Sequence, residues 1–105
     1  MTLPDNIRRD INACVHLLVN GHKDDPPDYV GSLDLMQKVL FAMPVSDRDS
    51  YCGYIYQVVQ GDAEFNRNDD DFYHHNATAL QKALAYLLSN DLCMDGWLNY
   101  SSASV

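Results

Sequence analysis

The stretch ATALQKALAYLL, residues 77–88, decides the fold. Its Ala, Leu, Gln and Lys residues are strong helix formers, and Leu80, Leu84, Leu87 and Leu88 recur at spacings of three and four, in line with Tyr73 and Ala77 before them. That period belongs to an amphipathic helix. Upstream, Asp69, Asp70 and Asp71 sit where carboxylates complement the positive end of a helix dipole, which predicts one long helix from the acid cluster to Leu88. Ser89-Asn90-Asp91 breaks it, and Leu92 to Leu98 is expected to form one further short turn that docks Trp97.

Working outward, three more stripes of the same kind emerge. Leu3, Ile7, Ile11, Cys14, Val15 and Leu18 mark a first helix ending near Asn20-Gly21, with a Thr2/Asp5 spacing that resembles a capping box and Pro4 tolerated in the first turn. Tyr29, Leu33, Met36, Leu40 and Met43 mark a second. Asp25 is a candidate cap for it, with Pro26 and Pro27 in its opening turn and Asp28 near the positive end of its dipole, although Gly31 inside the pattern offers Ser32 as an alternative start. Pro44 closes that helix. Ser46 and Asp49 repeat the capping-box spacing ahead of a third stripe, Tyr51, Ile55, Val58 and Val59, which runs to about Gln60. Its Tyr54-Ile55-Tyr56 centre also suits a strand, but no second run of that kind offers a partner. The fold class expected is therefore all-α: a small, irregular, antiparallel four-helix bundle with room for a short fifth C-terminal helix. Residues 1–100 form one domain, and the small, polar residues 101–105 are expected to fray.

Charge then limits the partners. Seven Lys and Arg against fifteen Asp and Glu leave a net charge of -8 and a pI near 4.5. Fourteen of the fifteen acids are aspartates, which favour helix ends over helix interiors. Such a chain repels phosphate backbones and anionic lipid, and its basic residues are too scattered to track a nucleic-acid strand. A basic protein partner is the better electrostatic match. The start, Met-Thr-Leu-Pro-Asp, lacks the form of a secretory signal, and the longest uncharged run, Ser50 to Gly61, is too short to cross a bilayer, so no membrane association and a cytoplasmic setting are expected. Cys14, Cys52 and Cys93 are odd in number and show no zinc-module spacing, which predicts reduced thiols, the first two as core filler.

Chemistry is thinly represented. Asp70 with His74 and Asp71 with His75 have the i, i+4 spacing of metal-ligand pairs, but a complete site needs further ligands that cannot be assigned, so the acids read as helix caps and no metal or other cofactor is expected. His16 and His22 flank the end of the first helix, where a cation near the last carbonyls is mildly favourable. No nucleophile elbow, H-E-x-x-H helix or glycine-rich phosphate loop occurs, which points away from an enzyme. What remains is tyrosine, seven in a short chain. Tyr54 and Tyr56 project off the buried stripe of the third helix, and with Glu64, Phe65, Asp69, Asp70 and Asp71 they make up the expected partner-binding patch. The leading expectation is a small acidic inhibitor or immunity-type module that covers a basic site, such as a nucleic-acid-handling one, on another protein. The alternative is a self-associating bundle, a homodimer burying Tyr54, Tyr56 and Trp97. A metal- or thiol-dependent enzyme ranks below both.

Overall fold

Among the described helices the most apolar is also the most enclosed. The computed structural model describes residues 1–60 and 77–105; in it α1 spans Asp5–Asn20, α2 Leu33–Phe41, α3 Val45–Gln60 and α4 Ala79–Ser89, with short 3-10 turns at Tyr29–Gly31 and Trp97–Tyr100. The protein is an all-helical bundle. Along α4, Leu80, Ala83, Leu84, Ala85 and Leu87 expose nothing to solvent, and Ala79 and Lys82 are buried beside them. A helix buried on every side needs neighbours on every side. α4 has them in α1, α2, the first 3-10 turn and, most extensively, α3. Its alternation of Leu with Ala lets those elements approach closely while the leucines fill the gaps.

The start of α4 corrects the expectation of one long helix from the Asp69–Asp71 cluster. Thr78 is extended, at ψ 164, and its hydroxyl accepts from the Gln81 N–H at 3.1 Å while the Gln81 side chain accepts from the Thr78 N–H at 2.9 Å. This is a complete capping box, and it fixes Ala79 as the first helical residue. The far end of α4 is tied by bonds from the Asn90 and Asp91 N–H groups to the carbonyls of Leu87 and Leu88. Inside the core lies one unexpected cation. Lys82 is 3 % exposed, burial pushes its ammonium pKa down, and among the described residues its side chain makes no hydrogen bond or ion pair.

The other helices follow their stripes. α1 buries Ile11 and Val15 completely and ends at Gly21, whose φ of +81 places it in the left-handed region so that its N–H reaches the Leu17 carbonyl at 2.8 Å. No side chain caps its start, where Pro4 occupies the N-cap in place of the expected Thr2 box. The cap of α2 is Ser32, whose hydroxyl accepts from the Leu35 N–H at 3.2 Å, and not Asp25. Glycine at 31 separates the 3-10 turn from the helix: a Cβ there would overlap the Asp28 carboxylate and stand 2.8 Å from the Arg8 guanidinium. α3 is helical through Tyr54-Ile55-Tyr56 and buries Tyr51, Ile55, Tyr56 and Val58. Residues 101–105, expected to fray, are held by a parallel bridge between Thr2 and Ser104. There the Leu3 N–H donates to the Ser104 carbonyl and the Ser104 N–H to the Met1 carbonyl, both at 2.9 Å. Ala103 is buried under that bridge and Trp97 in the core, which supplies the apolar anchor a polar tail otherwise lacks.

Candidate functional site

Arg8, Asn12, His16 and Asn20 stand four residues apart and so share one side of α1. Together they grip residues 28–30. The Arg8 guanidinium binds the Asp28 carboxylate through two nitrogens, Nε donating to Oδ1 at 3.0 Å and Nη2 pairing with Oδ2. Asn12 donates from Nδ2 to Asp28 Oδ1 at 2.9 Å and accepts the Val30 N–H on Oδ1 at 3.0 Å, so its buried amide is used at both ends. His16 Nδ1 meets the Tyr29 hydroxyl at 2.9 Å and the Asn20 amide at 2.9 Å, and the His22 ring stands edge-on to His16 at 4.9 Å. In a neutral His16 that accepts from the phenol, the proton sits on Nε2. Electrostatics agree with the geometry: Arg8 chiefly, then Asn12, holds the Asp28 carboxyl below its ordinary range against the opposing effect of burial, and Asp28 raises Arg8 in return. These bonds tie α1 to residues 28–30 as a clamp. Its sequence signal was the spacing of four polar residues along an apolar-striped helix.

A second region is unanswered. A cleft of about 280 Å³ opens where four helices end or begin. Leu18 and Val19 come from the last turn of α1, Val39, Ala42, Met43 and Pro44 from the end of α2 and its corner, Asp47 from the first turn of α3, and Tyr86 and Asn90 from the end of α4. Helix C-termini carry roughly half a negative charge each. Neither α1 nor α4 has a basic residue in its last turn, and Lys38, in the last turn of α2, does not line the cleft. The α1 cap satisfies the Leu17 carbonyl, whereas among the described residues the Leu18 and Val19 carbonyls receive no backbone donor from the segment beyond the helix. α4 is better closed: Ser89 Oγ and Asn90 Nδ2 both donate to the Tyr86 carbonyl, at 2.8 and 2.9 Å. Burial first, then Tyr29 and the Asp47 carboxylate, push the half-buried Tyr86 phenol up, so it is neutral and free to donate at ordinary pH. Immediately beside the lining segment 42–44 stand Phe41, 80 % exposed, and Val45, 75 % exposed.

Of the patch expected from the sequence, Tyr54 is half-buried against the core and Tyr56 is buried, at 6 % exposure, because α3 is covered over more than the one face its stripe defines. The phenolic part of that surface thus reduces to Tyr54. Glu64, Phe65, Asp69, Asp70 and Asp71 lie outside the described residues, as do the Asp70/His74 and Asp71/His75 pairs. Among the described residues no group of three or more His, Cys, Asp or Glu is placed to hold a metal ion. Among the described residues Cys14, Cys52 and Cys93 form no disulfide and are half-buried against the core, and burial, then Asp95 and Cys14, push the Cys93 thiol up, away from the reactive thiolate. No helix among the described residues is long and apolar enough to cross a membrane. Compared with known proteins, the chain matches no family model, no curated protein and no solved structure.

Proposed function

We propose that this chain is an acidic protein-binding module of the inhibitor or immunity type, which covers a basic site on a partner protein. The observation that carries the reading is the α2–α3 corner, where Phe41 and Val45 point away from the core in a chain of net charge -8. Isolated exposed apolar residues are ordinary, but an aromatic and a branched side chain flanking a cleft are the material of a contact centre. Carboxylates around such a centre speed association with a positive surface and reject negative ones. Self-association is the weaker reading on two counts. Two copies at -8 each repel, and Tyr56 and Trp97, expected across a two-fold interface, are already buried within one chain.

Affinity capture from host extract tests the proposal, run in parallel with the wild-type chain and with F41S/V45S, at low and high salt. A basic protein retained by the wild type and lost both to salt and to the double variant supports it. Capture indifferent to both changes overturns it, and a concentration-dependent dimer in light scattering that the double variant abolishes would replace it with self-association.

A further inference from the structure

The shape and charge of the cleft specify more than a generic contact, and on the reading just proposed they name what the partner inserts. At about 280 Å³ the cleft is at or below the small end of pockets that hold drug-sized ligands or cofactors, so it suits a single side chain. Leu18 and Val39 from two helices and Met43 from the corner supply an apolar wall. Polar character enters with the Asp47 carboxylate, the Tyr86 phenol and the carbonyl ends of α1 and α2, that of α4 being closed by Ser89, Asn90 and Asp91. Against these stand the amide end of α3, which Asp47 itself complements from the first turn, and the Asn90 amide, whose nitrogen is engaged by the Tyr86 carbonyl. No basic side chain lines the cleft among the described residues. The charge balance of the described lining is negative, beside an apolar wall.

We infer that this cleft receives one long cationic side chain, lysine or arginine, from the partner, with its methylenes against Leu18, Val39 and Met43 and its charged head between Asp47, Tyr86 and the carbonyl end of α1. Long basic side chains are suited to this arrangement, because their stems bury like hydrocarbon while their heads seek carboxylates, carbonyl oxygens and aromatic faces. A neutral aliphatic side chain would leave the Asp47 carboxylate and the open carbonyl end of α1 without a cation, and an acidic one would be repelled.

The test uses the full-length, isotopically labelled chain and four small probes: n-butylammonium, n-butylguanidinium, n-butanol and butyrate. Amide shifts are followed by NMR at low salt. Saturable shifts confined to residues 18, 19, 42, 43, 47 and 86, produced by the two cations and not by butanol or butyrate, are the expected result; the stronger of the two cations tells lysine from arginine. D47N, a change at an exposed position that leaves the core intact, should weaken cation binding by about 2- to 5-fold, with thermal unfolding as the control for folding. Equal shifts from butanol, shifts scattered over the other carboxylates, or no shift with any probe would overturn the inference. Its failure is separable from that of the wider reading: capture that depends on Phe41 and Val45 while cations ignore the cleft sinks only the cleft, and cations seated in the cleft with no basic protein captured sink only the partner.

Discussion

The clamp on α1 and the corner between α2 and α3 are built from opposite materials and left in opposite states. In the clamp, a guanidinium, a carboxylate, two amides, an imidazole and a phenol are gathered along a seam that runs from partly exposed to buried, and each finds a partner within the chain. At the corner, apolar side chains face water and helix carbonyl ends meet at a cleft lined by no basic residue among those described. Polarity is thus a poor guide to function here. Satisfaction is a better one: groups that answer each other hold the fold, and groups left unanswered at a surface are available to something else.

That contrast predicts large stability effects in the clamp. N12A should cost the most, about 1–3 kcal/mol, because it leaves the buried Val30 N–H without an acceptor and takes a donor from Asp28. For a domain of this size the midpoint of thermal unfolding should fall by roughly 4–8 °C per kcal/mol. An unchanged midpoint would mean that water replaces the amide and that the clamp is not a closed network. G31A should act in the same sense, since its methyl group must displace the Arg8–Asp28 pair.

Lys82 sharpens the rule from the other side, as a buried charge without a partner among the described residues. K82M, of similar length and apolar, should stabilise the protein by about 1–2 kcal/mol at neutral pH. The sign with pH follows from the lowered ammonium pKa. Below that folded-state value the charged lysine is penalised in full, and the penalty fades as pH rises through it toward the ordinary lysine value of about 10.4. The advantage of K82M in denaturant melts should therefore shrink at alkaline pH. An advantage that stays constant would place the ammonium in contact with water.

Asp28 gives a smaller effect with the opposite sense. Its carboxyl pKa is lowered in the fold, so the stability it contributes is fully present above the unfolded value of about 3.9 and is lost as pH falls through the folded value. Both partners in the ion pair are partly exposed, at 33 % and 45 %, which holds the expected cost of D28N at neutral pH to about 0.5–1 kcal/mol. The difference between D28N and wild type should vanish in acid. A difference that persists there would assign the effect to the Asn12 hydrogen bond geometry instead of to charge.

How much of this was readable in advance depended on range. The end of α1 at Gly21 and the alternative start of α2 at Ser32 are local matters of stripe and cap, and they stood in the sequence, whereas the Ser46 cap expected for α3 did not hold, since Ser46 lies inside a helix that begins at Val45. The start of α4 was equally local but was obscured: Asp69 to Asp71 resembled a helix entry, while Thr78 and Gln81, the pair that does the capping, sat inside a pattern already assigned as helix. The clamp could be half seen, since the spacing of Arg8, Asn12, His16 and Asn20 is visible but the segment it grips is not. Tyr56 was assigned outward because its position lies about 100° from Ile55 on a helical wheel, and only the packing of the bundle shows that α3 is covered there too. The cleft was not legible at all. It is assembled from the ends of four helices, and no single stretch of chain carries its pattern.

The smallest stability effect is expected where the functional effect should be greatest. Phe41 and Val45 are exposed by 80 % and 75 %, so F41S/V45S removes little buried surface and should change folding stability by no more than about 0.5 kcal/mol. If the corner is the contact centre, the same double variant should release a captured basic partner that N12A, at a refolding temperature where both are native, retains. This crossing of effects is what separates a surface kept for binding from one that is merely apolar. Should F41S/V45S instead unfold the protein, the two side chains would be answering groups within the chain, and the corner would belong with the clamp as part of the scaffold.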